Sequence, residues 1–177
     1  VELLKCGVAT KMAWAQTGTN TLSTSTGFLE VTGLTKTKFN QIISHVTGSS
    51  ASYVNFYGRV GNGSYDTGSN YSSRECQGGT GAENLRTGNS TFNAGLQGFS
   101  NTHGNSLHII FNANFDGEEK LFIEFAVLAS GGGTTAPFRY ESYFKNTTTS
   151  GQIDQFKFMN DVDTYDADSN ITVLGTD

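Results

Sequence analysis

An all-β domain is the fold this sequence predicts, an antiparallel β-sandwich of jelly-roll type with about nine strands. Three observations carry it. Short runs of β-branched and aromatic residues recur along the chain, turn-forming residues separate them, and helix-length amphipathic periods are missing. The 177 residues include 22 glycines but only one proline, Pro137, together with 13 Phe and seven Tyr. That combination supplies many tight turns and enough large apolar surface for a core.

The elements follow in order. Residues 1–25 carry Leu3, Leu4, Val8, Met12 and Trp14 ahead of a Thr/Ser/Asn run, and read as an N-terminal arm or edge strand that docks on a neighbour. Residues 26–177 read as a single sandwich domain, the usual size for one such unit. Strands are expected over 28–34, 39–47, 53–60 and 71–77, with Gly48-Ser49-Ser50 and Gly61-Asn62-Gly63 as turns between them. Residues 78–105 are rich in Gly, Asn, Ser and Thr and read as a long surface loop holding one short strand near 91–94.

A hairpin then dominates the second half. Leu107, Ile109, Phe111, Ala113 and Phe115 alternate with more polar residues, and Asp116-Gly117 turns the chain into Leu121, Ile123, Phe125 and Val127. These alternating apolar residues are the expected centre of the core. In the second arm Phe122, Ala126 and Leu128 are apolar as well, which predicts a central strand with both faces covered. Strands over 138–145, 153–159 and 169–174 complete the count.

Composition bounds the function. Only 15% of residues are charged, and the net charge is −5 with a pI near 5.1. The eleven basic residues are scattered, which excludes the concentrated basic face that nucleic-acid binding needs. No apolar run is long enough for a membrane helix, and no signal peptide is visible in the sequence. Cys6 and Cys76 lack the short spacing of a metal knuckle and read as free buried thiols in preference to a disulfide.

Catalytic constellations are not found. The G-x-S-x-G elbow is missing, and the three histidines, His45, His103 and His108, read as structural or surface residues. Glu118, Glu119, Glu124 and Glu141 show no spacing that marks a glycosidase pair. Asp166, Asp168 and Asn170 have the one, three, five spacing of a calcium loop, but Ile171 stands where that loop needs glycine, so an acidic solvated turn is expected and no cofactor is assigned. Gly61-Asn62-Gly63 opens no helix and reads as a hairpin turn, not a phosphate loop. Sequons begin at Asn62, Asn70, Asn89, Asn146 and Asn170, as chance produces in so polar a chain. Tyr65 and Tyr71 flank the Asp66-Thr67-Gly68-Ser69-Asn70 loop, where exposed rings could stack on a sugar, although core or turn roles are the expectation.

The segment Arg59-Val60-Gly61-Asn62-Gly63-Ser64-Tyr65-Asp66-Thr67-Gly68-Ser69-Asn70-Tyr71 and the stretch from Asp168 to Asp177 resemble structural proteins of marine tailed phages and related environmental viruses. Phe28 to Leu34 and Phe39 to Ile43 add to the likeness, which spans residues 28 to 177. The resemblance implies a virion surface component, such as a capsid decoration, fibre or tail-associated module, often oligomeric. The leading expectation is therefore a non-enzymatic viral structural protein whose partners are other virion proteins and copies of itself. A carbohydrate-binding or adhesion module for host-surface glycans is the alternative.

Overall fold

The computed structural model describes residues 13–48, 53–77, 83–98, 105–129, 137–160 and 164–177. These form thirteen strands: β1 (Ala15–Thr21), β2 (Phe28–Val31), β3 (Phe39–Thr47), β4 (Tyr53–Asn62), β5 (Ser64–Tyr65), β6 (Tyr71–Gln77), β7 (Glu83–Asn89), β8 (Phe92–Gly98), β9 (Asn105–Ala113), β10 (Lys120–Leu128), β11 (Phe138–Asn146), β12 (Gln155–Asn160) and β13 (Asn170–Thr176). All nine expected strands are present. Four more join them: β1 lies in the segment read as an arm or edge strand, β8 extends the short strand expected near 91–94, and β5 and β7 are not among the expected strands, β7 falling in the stretch read as loop. That stretch pairs through its backbone: β7 with β6 and β8 with β4. Backbone ladders need no apolar alternation, so a Gly- and Asn-rich sequence can supply them at a sheet edge.

Two antiparallel sheets result. The large one runs β1-β13-β3-β9-β10-β11-β6-β7, and the small one β2-β12-β4 with both β5 and β8 paired to β4. Four strands of the large sheet, β1-β13-β3-β9, and four of the small one, β2-β12-β4-β8, reproduce the strand order of a jelly roll. The β10–β11 hairpin and the β6–β7 hairpin extend the large sheet beyond that frame.

The core between the sheets is aromatic. The ring of Phe92 on β8 stacks on Phe144 of β11 at 4.0 Å and tilts against Phe156 of β12 at 5.6 Å. Phe56, Phe158 and Tyr165 cluster beside it with centroids 5.1 to 5.6 Å apart. Gly58 on β4 makes this possible, because a Cβ there would meet the Phe92 ring at 1.8 Å. The expected turn at Asp116-Gly117 is also present, with Gly117 at a φ of 79° that suits glycine.

The face assignment of β9 and β10 is the reverse of the sequence reading. Leu107, Phe111, Leu121, Ile123, Phe125 and Val127, expected in the core, lie on the outer face of the large sheet and are exposed. The buried face carries Ser106, His108, Ile110, Asn112, Phe122, Glu124 and Ala126. Alternation identifies the apolar face of a strand but not which side the rest of the chain covers. Here the small sheet covers the more polar side.

Candidate functional site

Across the outer face the register aligns apolar residues in rows. Ile123 stands beside Phe111 on β9 and Tyr143 on β11, Phe125 beside Ile109, and Val127 beside Leu107. Toward β3, Phe39 lies next to Ala113, with its ring edge-on to Phe115 at 5.3 Å. Trp14 joins Phe39, Phe111, Leu121 and Ile123 around a groove of about 430 Å³, and Leu85, Leu121, Ile123 and Tyr143 line another of about 410 Å³. The Leu121–Ile123 ridge separates the two grooves.

Nine large apolar side chains on this face are 38 to 55% exposed: Trp14, Phe39, Leu107, Phe111, Leu121, Ile123, Phe125, Val127 and Tyr143. At roughly 200 Å² for each side chain, they present on the order of 800 Å² of apolar surface. The largest patch on an ordinary monomer is about 300–600 Å², whereas about 800 Å² per partner is what a stable protein–protein contact buries. Charges gather at the rim on β11, where Arg139 and Glu141 pair at 3.4 Å and Lys145 reaches Glu119 on the β9–β10 turn at 2.9 Å.

Beneath this face lies a buried polar group. His108 Nδ1 is 2.8 Å from Glu124 Oε1, and His108 Nε2 is 3.1 Å from Ser106 Oγ. Burial pushes the His108 imidazole down to about 3 and raises the Glu124 carboxyl well above its usual range, with the neighbouring Glu75 charge adding to the latter. Glu75 itself is buried and takes Arg86 Nε at 3.2 Å and the Ser73 hydroxyl at 3.1 Å.

The remaining sequence candidates do not converge. His45 is exposed and bonded to Asn105 at 2.6 Å, and His103 lies outside the described residues. Glu118 and Glu119 are exposed at a turn, Glu124 is sealed in the core, and Glu141 faces outward, so no two of them frame a cleft. Among the described residues no three His, Cys, Asp or Glu side chains gather as a metal-binding group. Asn170 donates to Asn20 O and Thr21 Oγ1 on β1, which spends its amide on strand pairing. Cys76 is a half-buried free thiol, and Cys6 lies outside the described residues.

A polar cleft of about 410 Å³ opens beside the Asp66 loop. Tyr71 is no stacking platform: it is fully buried, and its hydroxyl donates to Val60 O or Asp66 O while accepting from Val60 N. Tyr65 also lines the cleft, with Lys157 over its ring at 5.4 Å and its hydroxyl directed toward Glu30. The Asp66 carboxylate accepts from Gly68 N, Asn70 Nδ2, Asn146 Nδ2 and Thr148 Oγ1 at 2.7 to 3.0 Å. Burial opposes its ionisation, but those donors outweigh burial and hold it below the ordinary carboxylate range. The cleft wall is thus knitted together by its own polar groups.

No protein-family model matches the chain, and no curated protein matches it. A solved structure described as the CBM2 module of Lactobacillus casei BL23 phage J-1 evolved Dit is similar over 93% of this chain and 80% of that chain, at 10% identity and a TM-score of 0.28. That likeness is too distant to carry an argument.

Proposed function

We propose that this chain is a non-enzymatic structural module that assembles with copies of itself through the outer face of its large sheet, as a component of a virion surface. The observation that carries the assembly reading is the apolar outer face of β3, β9, β10 and β11. The β10 sequence is written for cover on both sides, and the described chain covers one. A second copy is the occupant argued for, because a self-association face meets itself and both sides then need the same apolar character and low charge. The estimated area matches what one such contact requires. Placement on a virion rests on the resemblance of residues 28 to 177 to phage structural proteins. Jelly rolls are shared by viral capsid and lectin domains, which is fold-level analogy only.

The glycan-binding alternative has the polar cleft in its favour. It is the weaker reading, because the Asp66 carboxylate and the amides around it are already bonded to one another. Light scattering on the purified chain at micromolar concentration, with and without a calcium chelator, separates the two. A stable oligomer unaffected by chelation is expected. A monomer under both conditions overturns the assembly reading.

A further inference from the structure

The outer face and the buried polar group are two sides of the same two strands. On β9, His108 points inward between Leu107 and Ile109, which point outward; on β10, Glu124 does the same between Ile123 and Phe125. Both polar residues are wholly shielded from solvent. The surroundings of the pair hold little that could balance a charge. From β4 and β12 come the rings of Phe56 and Phe158, 4.8 and 5.6 Å from the His108 ring. From β11 come Ser142, registered opposite Glu124, and the Tyr140 phenol, and from β6 comes Glu75. Arg86 on β7 is engaged with Glu75 at 3.2 Å. Glu124 Oε2 has no hydrogen-bond partner among the described residues.

Such a box tolerates one proton on the pair. With it the pair is neutral: Glu124 Oε1–H donates to His108 Nδ1, and Nε2–H donates to Ser106 Oγ. A second proton leaves a buried imidazolium, and removal of the first leaves a buried carboxylate with one oxygen unbonded. Either charge is costly in a site whose neighbouring charges, Glu75 and Arg86, are already engaged with each other. Resting on the assembly reading above, we infer that the His108–Glu124 pair is a proton-operated switch for assembly: charging the pair in either direction loosens the β9–β10 hairpin and releases the copies held on its outer side.

The direction of each limb follows from proton counting. His108 is held below its unfolded value, so between about 3 and 6.5 the unfolded chain binds more protons and stability rises with pH. Glu124 is held above its unfolded value of 4.5, so from there upward the folded chain binds more and stability falls with pH. The two slopes cancel between about 4.5 and 6.5, which leaves a plateau there with a falling limb on each side, each limb at most about tenfold in the unfolding constant per pH unit.

The test measures urea unfolding and solution mass of the full chain from acid to alkaline pH, for the native protein, Glu124→Gln and the control Asp168→Asn, an exposed carboxylate on the β12–β13 turn away from the outer face. The native protein and the control should share an alkaline limb in stability, with mass falling to monomer in the same window. Glu124→Gln should lose that limb and stay assembled at higher pH. Nitrogen NMR of His108 in the native protein keeps the idea testable if Glu124→Gln fails to fold: a neutral ring protonated at Nε2 near neutral pH is expected, and titration near 6.5 would overturn the switch. Stability that stays flat on the alkaline side also overturns it. An oligomer that persists while stability falls breaks the link to assembly. A monomer at every pH removes the assembly reading instead, and the stability profile still judges the pair.

Discussion

Replacing Phe125 with alanine separates a surface that water covers from a surface that another copy covers. Phe125 sits mid-face on β10, 45% exposed, opposite Ile109 and Glu141 on the neighbouring strands. The exposed part of the ring is roughly 90 Å², worth about 2 kcal/mol if a partner removes it from water. A twofold contact contains the residue twice, so the dimer loses about 4 kcal/mol, close to a thousandfold in Kd. The folded monomer loses only the half of the ring that is already buried, about 2 kcal/mol. Sedimentation velocity over a concentration series reads the first quantity, and urea unfolding below the dissociation concentration reads the second. Phe28→Ala supplies the control, since Phe28 is 39% exposed on the small sheet at the other side of the molecule. If Phe125→Ala weakens association no more than Phe28→Ala does, the outer face is not the contact and the assembly argument fails.

Three further outcomes follow from the packing. Gly58→Ala forces a Cβ into the Phe92 ring and breaks its stack with Phe144, so a loss of about 3 kcal/mol or more in chemical denaturation is expected; a change within error would show that β4 and β8 yield cheaply. Asp66→Asn sets an amide against the donors of Asn146 and Thr148, costing about 1–3 kcal/mol, and it should also abolish the part of the native stability that is present above the unfolded pKa of 3.8 and lost as pH falls through the lowered folded value. Arg86→Ala leaves the buried Glu75 charge with only a hydroxyl, and although the guanidinium is partly exposed the expected cost is about 2 kcal/mol, with Arg86→Lys intermediate in the same unfolding assay.

Strand positions were largely legible in the sequence because period-two alternation and turn residues mark them locally; β3 and β6 fall on the residues expected. The side that each strand buries was not. His108 and Asn112 look like the solvent face of a half-buried strand, yet they are covered because the small sheet packs there, a fact set by residues more than forty positions away. The one local clue was β10, where apolar residues occupy both faces and predict two covers. β7 escaped notice because an exposed edge strand needs no apolar face, and β8 was legible only as the short strand near 91–94 because most of its remaining residues are small or polar around Phe92. The His108–Glu124 pair was invisible for another reason: the residues are sixteen apart, and only the β9–β10 register brings them together.

The order of strands in space sets an order in time. β13 lies between β1 and β3, and β12 lies between β2 and β4, so the earliest strands of both sheets find their neighbours only in the stretch from Gln155 to Thr176. A nascent chain emerging from the ribosome therefore carries β1 and β2 without ladder partners, and β3 and β4 with one flank open, until nearly all of the sequence has been made. During that interval the apolar ridge of β9 and β10 is displayed beside unpaired backbone, the combination most prone to aggregate. Such long-range closure predicts slow folding and a high yield penalty for any truncation that reaches β13, even though β13 meets the outer-face groove only at Thr176 and makes none of the buried pair's hydrogen bonds.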